Sequence, residues 1–406
     1  MDDPAQRLAE LVRTEGRRVL ATLVRTTGSL TVAEDAVSDA VLAALETWPR
    51  TGIPDNPRAW LTTVARNKAL DTFRREAART PKEVAAMDLA ALSGPPEPPD
   101  DGVVADDLLR LVFICCHPAL STEAQVALAL RTLCGLSTAD VARLLLVPEA
   151  TAGKRLTRAK QKIAAAHIPY RVPDAAELPT RLDAVATTVY LLFTAGHSGG
   201  DAVVRPQLCD EALRLGRLLV GLLPDESSLQ GLLALMLLTD ARRGTRVDAA
   251  GHLVLLADQD RSRWNRVAID EGARLVEVAL RRSRLRAGRF ELQAAIAACH
   301  ATAPTWPDTD WDDIVALYDA LLRVEDTPVV RLNRAVAVGE RDGPAAGLAL
   351  VDAIGGLGRW HRWHACRAEL LTRLGRDADA EAARAAALAC DPSPPEVAHL
   401  TRGDVR

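Results

Sequence analysis

The chain has 406 residues, of which 48% are hydrophobic and 26% charged, and its formal net charge is −4. This is the composition of a globular chain of two or three domains, and the weak negative charge excludes binding to nucleic acid through overall charge alone. Aromatic residues are scarce at 3%, while alanine, leucine and arginine are abundant, which favours helix nearly everywhere. The predicted fold class is therefore all-α.

The sequence shows neither a secretory signal nor a membrane span. Its first residues, MDDPAQRLAE, carry acids where a signal peptide needs positive charge, and the most apolar run, LLALMLL at 232–238, is too short to cross a bilayer. Seven cysteines without paired spacing predict a reduced chain. We therefore expect a cytoplasmic protein with no membrane partner.

Two proline-rich breaks divide the chain. SGPPEPPDDG at 93–102 predicts a solvated linker, and HIPYRVPDAAELP at 167–179 interrupts helical sequence with three prolines. The predicted organisation is a first module over residues 1–80, an acidic linker over 81–105, a second module over 106–168 and a helical C-terminal part over 180–406.

The first module contains an amphipathic helix, TVAEDAVSDAVLAALETWP at 31–49. Four positions recur at helical spacing and are predicted to face a core, namely Val37, Val41, Ala44 or Leu45, and Trp48. A second stripe of this helix is mostly acidic, and it is either a solvated face or a docking surface for a basic or polar partner. Its residues are Glu34, Asp35, Asp39 and Leu42.

The next helix is predicted to begin at Asn56-Pro57, a capping residue followed by proline at the first helical position. It carries a tryptophan ring, an amide and several cations on one surface. Such groups bind single-stranded DNA by stacking on bases, bonding base edges and holding phosphates. The alternative is that Trp60 simply packs into the core. The candidate DNA-binding residues are Trp60, Asn67, Lys68, Arg74 and Arg75.

The second module contains the stretch GLSTADVARLLLVPEATAGKRLTRAKQKI at 135–163, which predicts a helix-turn-helix. Ser137 is a candidate N-cap of the first helix, and Pro148 ends the turn. A polar and basic stripe lies about 100° around the second helix from its apolar face, as in a helix that reads the major groove. The alternative is a solvated basic helix within a bundle. The stripe consists of Thr151, Lys154, Arg155, Arg158 and Lys162.

Two other segments contain groups that bind metals or catalyse reactions in some proteins. Cys115, Cys116 and His117 lie in FICCHPAL, but adjacent ligands do not easily reach one tetrahedral ion, so we interpret these thiols as buried apolar groups. LLADQDRSRWNR at 255–266 mixes acids, arginines and Trp264 without a nucleophile and base, so we interpret it as structural salt bridges or a domain contact. The sequence predicts no metal, no cofactor and no enzyme.

Together, the two modules resemble the bacterial RNA polymerase sigma factors of the extracytoplasmic-function (ECF) group. AEDAVSDAVLAALETWP followed by NPRAWLTTVARNKALDTFRRE resembles sigma region 2, and LSTEAQVALALRTLCGLSTADVARLLLVPEATAGKRLTRAKQKI resembles sigma region 4. The resemblance covers about residues 5–165. It implies a region 2 helical bundle and a region 4 helix-turn-helix, with core RNA polymerase and promoter DNA as partners.

The resemblance also implies a role for each candidate surface. The acidic stripe would bind core polymerase through Glu34, Asp35, Asp39 and Leu42, although Ser38 stands where the family often has glutamine. The −10 element would be held as a single strand by Trp60, Asn67, Lys68, Arg74 and Arg75. The −35 element would be read as a duplex by Thr151, Lys154, Arg155, Arg158 and Lys162.

Residues 180–406 resemble the C-terminal extension of an ECF subgroup that carries tetratricopeptide-like (TPR-like) repeats. The segments 328–354 and 361–389 each predict a helix pair, and Ala335 and Ala368 are offset by 33 residues, close to the TPR period. A stack of such pairs would offer a groove to a regulatory protein or peptide. The alternative is a globular helical domain that packs against the sigma modules.

The sequence therefore predicts a sigma factor that recruits core RNA polymerase to −10/−35 promoters, with a C-terminal helical domain that regulates it in cis. The alternative is a stand-alone helix-turn-helix transcription regulator with a helical sensor domain. That alternative assigns no purpose to the acidic stripe or to the Trp60–Arg74 surface.

Overall fold

The computed structural model describes residues 4–79, 101–145, 147–166, 168, 170–174, 176–197, 206–248, 252–283, 286–390 and 392–401. Throughout these ranges the regular structure is helical, apart from one isolated antiparallel bridge between Val247 and Leu253. The predicted all-α fold is confirmed. The chain forms two compact units, Met1–Leu191 and Leu192–Arg406.

The first unit opens with a three-helix bundle of α1 (Pro4–Thr27), α2 (Leu30–Thr51) and α3 (Pro57–Arg79), in which each helix packs on the other two. Ser29 caps α2 by accepting a hydrogen bond from the Val32 amide at 3.3 Å. Asn56 caps α3, as predicted, because its side-chain oxygen accepts the Ala59 amide at 3.0 Å. These caps fix where α2 and α3 begin.

The buried face of α2 differs from the prediction. Trp48 and Ala44 are buried as expected, but Leu45 is exposed and Val37 and Val41 are only half-buried. The face turned fully inward is offset by one residue and consists of small side chains, which allow α1 and α3 to approach α2 closely. Its alanines are Ala33, Ala36, Ala40 and Ala44.

The second half of the first unit holds α4 (Asp101–Cys115), α5 (Thr122–Leu128), a π-helical turn at Ala129–Leu133, α6 (Thr138–Leu145) and α7 (Glu149–Ala165). Helices α6 and α7 form the predicted helix-turn-helix and pack on each other. Ser137 caps α6, since its hydroxyl accepts the Asp140 amide at 3.0 Å. Helix α4 begins at Asp101, within the predicted linker, and residues 81–100 of that linker lie outside the described ranges.

Helix α8 (Leu178–His197) begins in the first unit, and the division between the units falls inside it. The second unit continues with α9 (Pro206–Leu222), α10 (Ser227–Asp240), α11 (Arg266–Ser283) and α12 (Arg289–Thr302). Helix α10 is apolar on all sides and buried from Leu229 to Leu238, because α9, α11 and α12 all pack against it. A Cβ at Gly231 would lie 2.7 Å from the Glu291 amide nitrogen, so glycine is needed where α10 meets α12.

The last six helices are α13 (Trp311–Val324), α14 (Pro328–Arg341), α15 (Pro344–Asp352), α16 (His361–Arg373), α17 (Asp377–Leu388) and α18 (Pro394–Thr401). The two predicted helix pairs are present as α14–α15 and α16–α17. Their turns contain Gly343 and Gly375, whose φ angles are 97° and 67°. Ala335 and Ala368 are both buried in one apolar cluster that joins the pairs. Assignment of these pairs as TPR units stays a prediction.

Candidate polymerase and promoter interface

The acidic stripe on α2 is divided between solvent and the protein interior. Asp35, Asp39 and Leu42 are exposed, Leu42 by 58%. Glu34 is only 8% exposed. Three of the four residues predicted to bind polymerase are therefore open on the surface, and the fourth is covered.

Glu34 is covered by the second half of the first unit. Its Oε1 accepts a hydrogen bond from the Thr132 hydroxyl at 2.9 Å, and its Oε2 forms an ion pair with Nζ of Lys160 on α7. Thr132 lies in the π-helical turn that follows α5. The carboxylate therefore links the helix bundle to the helix-turn-helix.

A second set of contacts joins the same two parts of the unit. Nε of Arg25 on α1 lies 3.0 Å from the carboxylate of Asp107 on α4, and Asp107 is fully buried. Burial raises the pKa of Asp107, although the Arg25 guanidinium favours the charged form. The hydroxyl of Tyr170 lies 2.8 Å from Ala21 O and 3.0 Å from Asp107 O. The segment after α7 therefore also holds α1 against α4.

The candidate −10 surface lies along α3. Trp60 is half-buried, and its ring meets Trp48 edge-on at 5.3 Å between centroids, so it packs on the bundle while part of it reaches the surface. The polar and basic candidates further along α3 are exposed. Among them, Arg74 has its Nη1 3.5 Å from the Asp71 carboxylate. The exposed candidates are Asn67, Lys68, Arg74 and Arg75.

The candidate −35 surface lies on α7. The apolar residues predicted to be buried, Ala152, Leu156, Ala159 and Ile163, are buried. The stripe beside them faces outward: Arg155 is half-buried and the other four members are exposed, namely Thr151, Lys154, Arg158 and Lys162. At 100° per residue, Lys160 points about 180° away from this stripe. The ion pair with Glu34 therefore leaves the predicted reading face open.

The start of α8 is bound to the helix-turn-helix half of the unit. Nη2 of Arg181 donates to Phe113 O at 2.6 Å, and the guanidinium carbon lies 5.8 Å from the Phe113 ring centroid. The Thr188 hydroxyl contacts Gln125 Oε1 at 2.8 Å. The first helix of the extension is therefore anchored on α4 and α5.

Sequence comparison identifies three segments of the chain. Residues 11–79 match the family described as Sigma-70 region 2, and residues 110–163 match Sigma-70, region 4. Residues 181–280 match a family of unknown function, DUF6596. The ECF RNA polymerase sigma factor SigL of Mycobacterium tuberculosis (strain H37Rv) is 35% identical over 134 residues, which cover 33% of this chain and 73% of SigL.

The chain belongs to the ECF family of RNA polymerase sigma factors. This sigma factor is accordingly a non-catalytic transcription initiation factor, which confirms the prediction that it is not an enzyme. It is also 45% identical over 384 residues to an uncharacterized protein of Rhizobium meliloti (strain 1021), R00370, covering 93% of this chain and 90% of that protein. The similarity to R00370 therefore extends through most of the C-terminal part. Among the described helices of the sigma factor, none has the length and apolarity to cross a membrane.

Sequence reasoning missed the contacts that join regions 2 and 4. In the sequence, Lys160 is a cation outside the recognition stripe, and that offset is the one signal of a separate role. Asp107 stands among the acids near the linker and gave no sign of being buried. Tyr170 lies between two prolines, where the sequence indicates only a break in helical structure.

Proposed function

We propose that this sigma factor recruits core RNA polymerase to promoters through the exposed acidic residues of α2 and reads the −10 and −35 elements with α3 and α7. The single observation that carries the proposal is the outward-facing basic stripe of α7, which lies beside a buried apolar face and opposite the Lys160–Glu34 ion pair. A recognition helix enters the major groove with such a face. Asn67 and the cations of α3 supply the amide and phosphate contacts that a single strand needs.

The contacts within the first unit define a closed state that must open during initiation. The −10 and −35 elements are separated by about 25 base pairs, or roughly 85 Å of duplex at 3.4 Å per pair. Glu34 on α2 touches Lys160 on α7, so the closed state does not place region 2 and region 4 on both elements at once.

Closure also affects polymerase binding. In the closed state Glu34 is held by Thr132 and Lys160, and region 4 lies beside the acidic stripe. If polymerase binds the open state better than the closed state, its binding shifts the equilibrium toward the open state. The apparent affinity for polymerase then decreases as the closed fraction of the free protein increases. We infer that the closed state lowers the affinity of free sigma factor for core polymerase.

We further propose that the C-terminal extension regulates these steps in cis. The support is the anchoring of α8, whose residues Arg181 and Thr188 contact Phe113 and Gln125 of region 4. Because the extension is covalently attached, even weak contacts act at a high effective concentration. A regulatory protein or peptide in the groove of the α14–α17 helix pairs is the proposed partner of this part.

Run-off transcription with purified core polymerase tests the proposed function. We expect the full chain to co-purify with core polymerase and to direct initiation from a −10/−35 promoter. A chain that ends after His197 keeps the whole of α8, and we expect its transcription level to differ from that of the full chain. Binding of −35 duplex without any association with polymerase would instead support a stand-alone regulator.

A further inference from the structure

Arginines of the second unit that lie partly inside the protein are generally paired with acids. Arg214 lies 2.6 Å from Glu211, and Arg334 lies 2.6 Å from Asp319. Within the described ranges, some inward-facing arginines of this unit have no carboxylate within ion-pair distance. They are Arg242, Arg246 and Arg261.

Contacts at the end of α10 link the segment that carries Arg242 and Arg246 to α8 and to the segment that carries Arg261. Nη1 of Arg246 donates to the backbone oxygen of His197 at the end of α8. The backbone oxygen of Arg242 accepts hydrogen bonds from both N and Oγ1 of Thr245 at 3.0 Å. The same Thr245 hydroxyl accepts Nε1 of Trp264 at 2.9 Å. The segment after α10 is thus tied to the end of α8 and to the segment before α11.

Arg261 approaches from that second segment. It is only 7% exposed, and its guanidinium carbon lies 4.8 Å from the Trp264 ring centroid. Its Nη1 donates to the backbone oxygens of His300 and Ala303 at 2.7 Å. Its Nη2 is buried and makes no hydrogen bond. Nη1 of Arg261 is therefore held by backbone oxygens, whereas Nη2 can still donate hydrogen bonds.

Two histidines lie beside the arginines. His197 is 6% exposed, and both of its ring nitrogens are buried without a hydrogen bond. Burial and then the charges of Arg246 and Arg242 lower the pKa of His197 to about 2. For His300, burial followed by Arg242 and Arg261 lowers the pKa to about 4. Both rings are neutral at pH 7, and Arg242 acts on both of them.

A buried guanidinium without an ion-paired carboxylate is costly, and buried polar atoms normally have partners. An oxyanion at this position would offset several positive charges and accept a hydrogen bond from the unused Nη2 of Arg261. We propose that Arg242, Arg246 and Arg261 form a binding site for a small multivalent oxyanion, the phosphate or carboxylate groups of a soluble ligand. The planar guanidinium fork suits either group because it can bond two oxygens at once.

A metal ion is the competing occupant. One ligand atom each from His197, Cys209 and Asp240 lies within 4.8 Å of the others. However, Asp240 already accepts two hydrogen bonds of 2.8 Å from Arg243. Burial raises the pKa of the Cys209 thiol to about 12, which opposes the thiolate that a metal needs. A cation would also face the neighbouring guanidinium groups, whereas an anion is attracted by them.

The site lies within residues 181–280, the segment matched by the family of unknown function. Its ligand would therefore be bound by the extension rather than by the sigma regions. This inference concerns binding alone and is independent of the proposed promoter recognition, because neither Arg242, Arg246 nor Arg261 belongs to the matched regions 2 and 4.

Calorimetry on the full chain tests the site, with inorganic phosphate, pyrophosphate and citrate as probes at constant ionic strength. We expect saturable binding of at least one probe and a loss of about tenfold in affinity in Arg242→Gln and in Arg246→Gln. Arg217→Gln is the matched control, because Arg217 is ion-paired with Glu271 at 2.8 Å. Preference for the phosphates or for citrate distinguishes the two ligand sources.

Absence of saturable heat with all three probes up to about 10 mM would overturn the proposal. So would equal binding by the wild type and both glutamine variants, or saturable binding of Zn²⁺ that His197→Phe abolishes. If a glutamine variant fails to fold, Arg242→Lys and Arg246→Lys keep the charge but lose the two-oxygen fork. We expect these lysine variants to fold and to bind the probes more weakly than the wild type.

Discussion

Lys160 of α7 forms an ion pair with Glu34 of α2, and this pair lies on the side of α7 opposite the predicted DNA-reading stripe. Both side chains are largely covered, with 23% and 9% exposure. Region 4 therefore holds a carboxylate of the surface that is proposed to bind polymerase, while its own proposed DNA-binding face stays open. Under the proposed function, polymerase and region 4 would compete for the Glu34 side chain.

Lys160→Met should increase affinity for core polymerase. The substitution removes the ion pair, whose loss from a partly buried site weakens closure by about 1 kcal/mol, so the apparent dissociation constant should fall about fivefold. Fluorescence anisotropy of labelled sigma factor titrated with core polymerase measures this dissociation constant. Lys162→Met is the control, since Lys162 is exposed on the reading stripe and should leave polymerase affinity unchanged. Equal affinity of wild type and Lys160→Met would contradict competitive closure.

Arg158→Ala should weaken recognition of the −35 duplex by the holoenzyme. Arg158 is exposed at the centre of the stripe, where an arginine bonds a base edge or a phosphate, so we expect a loss of about tenfold in affinity. If Arg158 contacts a phosphate, the salt dependence should also decrease by about one counterion. Thr157→Ala, on a side of α7 about 100° from Arg158, serves as control. Similar losses of duplex affinity in both variants would argue against DNA recognition by the basic stripe of α7.

Gly153→Ala should stabilise the helix-turn-helix. Glycine inside a helix costs about 1 kcal/mol relative to alanine, and a Cβ at Gly153 would meet only Thr138 Cγ2, at an ordinary 3.9 Å. Urea unfolding should show a corresponding increase in the free energy of unfolding. Gly153 lies about 140° around the helix from Arg158, so affinity for the −35 duplex should stay the same. Weaker duplex binding would show instead that the glycine serves close approach to DNA.

Acid should destabilise the second unit through its buried histidines. The pKa of His300 is lowered to about 4 in the folded protein by burial, then by Arg242 and Arg261, against about 6.5 when unfolded. As pH falls from 6.5 to 4, the unfolded chain binds a proton that the folded protein does not, so stability decreases over that interval. Urea midpoints measured across this range should fall less steeply in His300→Gln. If the urea midpoints of the wild type and of His300→Gln depend on pH in the same way, His300 is not the cause of the acid destabilisation.

Local chemistry made much of this fold predictable. Asn56-Pro57 and Ser137 indicate helix starts because side-chain oxygens satisfy the first amide groups, and both caps are present. The buried face of α7 follows from apolar spacing alone. Packing between distant segments was not predictable: the sequence gives no sign that alanines rather than Val37 fill the centre of α2, or that Glu34 meets a lysine 126 positions later.

The candidate anion site also depends on contacts between distant segments that the sequence does not predict. Arginines are frequent throughout this chain, and only the positions of neighbouring carboxylates distinguish Arg242 or Arg261 from the others. A segment that mixes acids, arginines and tryptophan suggested salt bridges. In the structure Arg261 bonds backbone oxygens and stacks on Trp264, so the expected pairing with an acid does not occur there.

The Tyr170 hydroxyl, placed between Ala21 O and Asp107 O, has a consequence for a nicked protein. With Arg25–Asp107 and Glu34–Lys160, it joins the region 2 and region 4 modules through non-covalent contacts. Hydrolysis of a single peptide bond between α3 and α4 should therefore yield two fragments that elute together from a sizing column and part only in denaturant.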